Sequence, residues 1–216
     1  QCPKQLWLEV HRPDLRRDVV AVQTKFAGGY RVGEVAQRLY DTGGAHCLDV
    51  QAEGVGAAVR RTEQLLQSGQ PIFEAGFAGG GALAFADVLL PVSGGWRMVE
   101  VKSSTKVKDY HRDELAIQSF IARAAGLPLV SLALAHVDSS WVYSGNGDYR
   151  GLLKEHEFTA EALGRETEVR EWIAGAHAVA AQPQEPQIAC GAHCHKPFEC
   201  GFAAYCSSGE QPVQFP

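Results

Sequence analysis

The sequence predicts an α/β protein in which helices pack on a mixed sheet, and two observations carry this reading. Apolar residues recur at helical spacing through the first part of the chain. From about residue 71 they collapse into short runs suited to strands, parted by glycine clusters at Gly79 to Gly81 and at Gly94 and Gly95. A strong helical pattern and one more apolar run follow, so the order is helices, three strands, a helix and another strand.

Taken in order, Leu6, Trp7 and Val10 predict a short amphipathic helix. In GGYRVGEVAQRLYDTGG, Val32, Val35, Ala36 and Leu39 lie at helical spacing between glycine pairs, which puts Glu34 within a helix. Residues 57–68 read as another helix, ended by Gly69 and Pro71. PIFEAGF, ALAFADVLLPV and WRMVEVK predict a three-stranded meander. Residues 109–125 form the clearest helix, with Leu115, Ala122 and Ala125 on one face and Gly126 and Pro128 beyond its end. LVSLALAHV reads as a buried strand, 159–181 as one long helix, and AAQPQEPQ as a linker into a cysteine-rich segment.

The 216 residues, 45% of them hydrophobic, suffice for one sizeable core. No stretch approaches the roughly 18 consecutive apolar residues of a membrane span and no leader is visible, so the expectation is a soluble, cytoplasmic protein with no membrane partner. A net charge of -5 does not advertise a polyanion binder. Positive charge is nonetheless gathered at Arg12, Arg16 and Arg17 and at Lys102, Lys106, Lys108 and Arg112, although such clusters are commonly solvated faces. The segment after Cys206, SSGEQPVQFP, reads as the start of a linker, which predicts a further C-terminal domain or a partner protein.

Asp87 sits in the apolar strand ALAFADVLL, and Glu100 and Lys102 on the next, in RMVEVKSS. Strand alternation sends Glu100 and Lys102 to one face and Val101 to the other. Pairing of the two strands through the Gly94-Gly95 turn brings Asp87 toward Glu100. Converging carboxylates repel unless a cation neutralises them, which calls for Mg²⁺ or Mn²⁺ on hard oxygen ligands and predicts phosphodiester hydrolysis, with Lys102 facing the developing charge. An acid and a lysine two apart also recur as an ordinary salt pair. Against that reading stand an otherwise costly Asp87, Gln118 on the packed face of its helix, and Glu34 upstream.

Cys190, Cys194, Cys200 and Cys206 stand close together, and Cys2 lies at the other end of the chain. Thiolates favour zinc or iron-sulfur clusters over magnesium. Spacing admits two ligand sets: a zinc knuckle of the four late cysteines, or Cys2 with Cys194, Cys200 and Cys206 around a cluster. Cys47 reads as a buried small hydrophobe, His111 as a surface helix residue, and His193 and His195 as neighbours rather than ligands.

In order and spacing, Asp87, Glu100-Val101-Lys102 and Gln118 resemble the PD-(D/E)XK nuclease pattern. Within that superfamily the chain is similar to the RecB-like branch with a [4Fe-4S] cluster, which includes CRISPR-associated iron-sulfur exonucleases and the AddB nuclease domain. The likeness runs from CPKQLWLE to CGFAAYC. It implies a restriction-endonuclease-like fold with a mixed central sheet flanked by helices, the termini joined by the cysteine site. It further implies Asp87, Glu100 and the Val101 carbonyl as metal ligands, Lys102 as the catalytic lysine, and Gln118 as a residue that helps position DNA. Glu34 stands where many RecB-like members have a histidine, Ala122 stands where an aromatic is usual, and Glu74 is an alternative third acid. The cluster ligands become Cys2, Cys194, Cys200 and Cys206, with Cys190 beside them.

The resulting expectation is one nuclease domain: helices over 1–70, a catalytic core over 71–137, an accessory helical segment and linker over 138–187, the cysteine segment over 188–206, and a tail over 207–216. Its activity is hydrolysis of DNA, as an exonuclease on single strands or free ends. A non-catalytic nucleic-acid-binding module and a zinc-stabilised interaction domain are the alternatives.

Overall fold

The computed structural model describes residues 2–17 and 31–209. The start of the glycine-flanked helix at 28–30 and the end of the tail at 210–216 lie outside the described residues. The chain forms two compact units, one of residues 1–26 with 171–216 and one of residues 27–170.

The second unit is built on a six-stranded sheet whose spatial order follows the chain: β1 (His46–Cys47), β2 (Ile72–Gly79), β3 (Ala82–Val92), β4 (Gly95–Lys102), β5 (Leu129–Val137) and β6 (Leu153–Glu157). β1 runs parallel to β2 and β4 parallel to β5, while the other neighbours are antiparallel, so the expected mixed sheet flanked by helices is present. The meander and the LVSLALAHV strand lie where the sequence puts them. The two outer strands carried no such signal, because β1 has only two residues and β6 reads LKEHE, a polar edge.

Helical residues 31–40 (α2), α3 (Val50–Glu53), α4 (Val55–Leu65), α5 (Asp109–Ala124) and α6 (Thr159–Gly164) complete this unit, together with the start of α7 (Glu166–Ala180). The single long helix expected over 159–181 is divided at Arg165, whose side chain pairs with Asp113 at 2.8 Å and with Glu168 at 2.6 Å.

One sheet face carries Phe73, Val88, Val99, Ala133 and Ala135, with Tyr40 and Val101 packed against them. The alternate residues Ile72, Leu89, Met98, Leu132 and Leu134 are buried on the other face, toward α5. Gly79 makes the approach of α5 possible. A Cβ there would lie 2.5 Å from the Ala125 nitrogen and 2.6 Å from the Ile121 carbonyl oxygen.

In the first unit the two ends of the chain meet. The Trp7 indole, on α1 (Pro3–His11), donates to the Gln182 carbonyl at 2.9 Å, and His11 Nε2 reaches the Ala180 carbonyl at 2.8 Å. The Arg17 backbone N–H donates to the Gly201 carbonyl at 2.8 Å, and the Lys4–Glu185 ion pair spans 2.9 Å. Leu8 and Phe202, just before α8 (Ala203–Ser208), are fully buried.

Candidate active site

Three carboxylates line up across the sheet on the face toward α5. Phe73 pairs with Val88 and Ala75 with Ala86, so Glu74 falls opposite Asp87. Val88 pairs with Val99, which carries the register on to Asp87 opposite Glu100. Directly opposed residues in antiparallel strands share a face, so the sequence of pairing alone stacks like charges side by side. Glu74 has φ of 58°, a left-handed conformation in mid-strand that costs a non-glycine residue about 1–3 kcal/mol.

Asp87 and Glu100 are each held by specific donors. Asp87 Oδ2 accepts the Val101 backbone N–H at 2.7 Å. Glu100, only 4% exposed, accepts Lys102 Nζ on Oε1 at 2.7 Å and Gln118 Nε2 on Oε2 at 2.7 Å. Burial and then the Asp87 charge push the Glu100 carboxyl well above the usual carboxylate range. Burial, opposed by the Val101 N–H and reinforced by Glu74, pushes Asp87 up to about 6. Glu74 is raised by burial and by Glu100. This is the signature of negative charge packed without enough positive charge to balance it.

Lys102 supplies part of that balance. Its ammonium lies 2.7 Å from Glu100 and 2.6 Å from Glu114 on α5. Burial works against the ammonium, but the two carboxylates outweigh it and hold the lysine protonated. Gln118 spends its amide hydrogens on Glu100 and on the Phe85 carbonyl at 3.0 Å, leaving Oε1 buried with no partner among the described residues. The donor set suits a hard divalent cation: it offers carboxylate oxygens whose mutual repulsion such an ion relieves, beside an unfilled amide acceptor.

Histidines surround the lysine. His111 is buried, and its Nδ1 accepts the Lys108 backbone N–H at 3.2 Å, so the neutral ring carries its proton on Nε2. Burial, then the Lys102 charge, lowers its pKa to about 4. The expectation of a surface residue is corrected here: His111 lies in the first turn of α5, turned inward. His136, beside Lys102 in the sheet, places Nε2 3.0 Å from Nε2 of His156.

In the first unit, Cys2, Cys190, Cys194, Cys200 and Cys206 all line one pocket, with Lys4 and His193 at its wall. Burial pushes the Cys206 thiol up to about 11, against the Lys4 ammonium, and Cys190, Cys200 and Cys194 add to the rise. His195 turns to Glu199, 2.8 Å away. Among the described residues, no three His, Cys, Asp or Glu side chains are drawn together into a finished ligand shell.

No family model matches this chain, and no curated protein does. Among solved structures, the crystal structure of SSO0001 is similar at 14% identity and a TM-score of 0.45, covering 98% of this chain and 84% of that one.

Of the residues singled out in the sequence, Asp87, Glu100, Lys102 and Gln118 are brought together, and Val101 joins them through its N–H while its side chain packs on the opposite face. Glu34 is not. It is exposed on α2, whose Tyr40 packs on the sheet face away from the carboxylates, and among the described residues it has no hydrogen bond to them. Glu74, the alternative acid, is the one that stands opposite Asp87. Cys47 is exposed rather than buried, because β1 is an edge strand. Glu114 went unnoticed in the sequence, although its position one turn before Gln118 on the same helix was a usable signal.

Proposed function

We propose that this protein is a metal-dependent nuclease of the PD-(D/E)XK kind, similar to the RecB-like iron-sulfur branch, hydrolysing DNA on single strands or at free ends. The row Glu74, Asp87 and Glu100 beside Lys102 carries the reading. A fold that needed only stability would not set three acids side by side, Glu100 buried and Glu74 and Asp87 half-buried, at the expense of raised pKa values and a strained backbone.

Asp87 and Glu100 would hold Mg²⁺ or Mn²⁺, with the Val101 carbonyl as a further donor. The bound ion supplies Lewis-acid polarisation of the scissile phosphate. Lys102, kept protonated by Glu100 and Glu114, offers N–H donors to the negative charge that grows on the phosphate oxygens as the bond breaks. Gln118 fixes the rotamer of Glu100 through its amide, so the carboxylate enters the reaction already oriented.

The five-thiol pocket supports a [4Fe-4S] cluster on Cys2, Cys194, Cys200 and Cys206, since the N-terminal cysteine shares one cavity with the three late ones. Zinc on the four late cysteines is the competing occupant.

The test is cleavage of labelled single- and double-stranded DNA by anaerobically purified protein with Mg²⁺ or Mn²⁺. Wild type is expected to cut and Lys102→Ala to lose at least a hundredfold in rate. Equal cutting by both would remove Lys102 from the mechanism, and no cutting by wild type would leave a binding module.

A further inference from the structure

The loop between β5 and β6, residues 138–152, leaves the sheet just past His136, the in-register neighbour of Lys102. It is tied to the strand ends by the Val137 N–H to the Ser104 carbonyl at 3.1 Å and the Asp138 N–H to the Leu152 carbonyl at 2.8 Å. It therefore starts at the same end of the sheet as the lysine of the candidate active site.

Three aromatic rings cluster in this loop. Tyr143 stacks on Tyr149 with centroids 5.3 Å apart, Trp141 stacks on Tyr149 at 6.0 Å, and Trp141 and Tyr143 lie tilted at 5.8 Å. Such rings would ordinarily seek a core, yet Tyr143 is 49% exposed and its neighbour Val142 is 81% exposed. Two of the rings have their polar groups tied to the loop backbone. The Trp141 indole donates to the Arg150 carbonyl at 2.9 Å, and the Tyr143 hydroxyl accepts the Gly147 N–H at 2.7 Å. With these two polar groups engaged internally, the Tyr143 ring is the face the loop offers most openly to a partner, backed by Trp141 and Tyr149. The rings are already ordered, so little entropy is lost when they are covered.

The surrounding charge selects the partner. Lys154, opposite His136 at the base of the loop, and Lys106, whose carbonyl accepts the Ser104 hydroxyl, are exposed and have no ion pair among the described residues, while the Lys108 ammonium lies over the Tyr110 ring. Of the loop's acids, Asp148 is paired with Arg150 at 2.6 Å, and Asp138 keeps its charge while accepting the Ser140 hydroxyl at 2.7 Å. Exposed aromatic surface at an end of the sheet that also carries ammonium groups without ion pairs matches a flexible polyanion that carries exposed π-faces. An apolar protein segment would leave the ammonium groups unmatched.

We infer that Trp141, Tyr143 and Tyr149 form a base-stacking platform for single-stranded nucleic acid entering the Lys102 site. The inference rests on the nuclease reading for its direction, but it concerns binding and is testable without cleavage. A duplex keeps its bases stacked internally, so the platform favours single strands.

The experiment measures binding of the full chain to a labelled oligothymidylate and to an abasic strand of equal length, both in EDTA so that no cleavage occurs. Tyr143→Ala is expected to weaken oligothymidylate binding roughly 5- to 100-fold while leaving the abasic strand within twofold. Tyr143→Phe, which keeps the ring, is expected to retain wild-type binding and guards against a folding artefact. Equal losses on both strands, no loss with Tyr143→Ala, or no binding by wild type would each overturn the platform. Metal-dependent cleavage with an indifferent Tyr143 would sink the platform and keep the nuclease. Base-dependent binding without cleavage would do the reverse.

Discussion

Gln118 Nε2 donates to Glu100 Oε2 at 2.7 Å, so the helix that follows β4 reaches back to hold a carboxylate on that strand. The same amide nitrogen donates to the Phe85 carbonyl, so one side chain links α5 to both β3 and β4. Replacing it with leucine leaves a buried carboxylate oxygen without its donor. Gln118→Leu is expected to cost about 1–3 kcal/mol in urea unfolding.

The carboxylate row gives stability an unusual pH dependence. Asp87 titrates at about 6 in the folded protein, above its ordinary value, so the native state binds more protons than the unfolded chain in the interval between. Stability from this group is present below the unfolded pKa and is lost as pH rises through about 6. Urea titrations from pH 4 to 8 are expected to show this decline in wild type and a flatter profile in Asp87→Asn, which becomes the more stable protein at neutral pH. Mg²⁺ is expected to restore wild type most strongly at the high-pH end.

Glu74 combines a strained backbone with a repelled carboxylate. Glu74→Gly removes both, at the entropic cost of a glycine in a strand. We expect unchanged or higher stability, by up to about 1 kcal/mol, together with at least a tenfold fall in cleavage. A large loss of stability in thermal melts would show that Glu74 is structural.

Glu114 shares the Lys102 ammonium with Glu100. Its side chain is 40% exposed, so Glu114→Gln is expected to change stability by under about 1 kcal/mol. The readout is the pH profile of cleavage: with one carboxylate gone the lysine loses its proton more readily, and the alkaline limb moves to lower pH.

The cysteine pocket is resolved by two variants. With a cluster on Cys2, Cys194, Cys200 and Cys206, Cys2→Ser is expected to lose iron, visible absorbance and several degrees of thermal stability, while Cys190→Ser keeps them. A zinc knuckle of the late cysteines predicts a colourless protein in which Cys190→Ser loses the metal and Cys2→Ser does not.

Much of this site could be read in the chain because the distances involved are local. Glu100 and Lys102 share a face through the two-residue period of a strand, and their 2.7 Å contact follows from it. Leu115, Gln118 and Ala122 share the packed face of α5 through helical spacing, and all three are buried. The apolar runs and glycine turns likewise set the meander.

What the sequence did not determine were the relationships set by pairing register and long-range packing. Glu34 and Glu74 were both acids in regular elements. Only the β2–β3 register puts Glu74 beside Asp87, and only the placement of α2 on the other sheet face takes Glu34 away. The inward turn of His111, the sharing of Lys102 with Glu114 and the gathering of the loop aromatics arise the same way. Cys2 joins the late cysteines because Trp7, His11 and Lys4 bind residues 180–185, more than a hundred and sixty positions along the chain. Local spacing fixes which side of its own element a residue occupies. Which elements face one another depends on the burial and pairing of the whole chain.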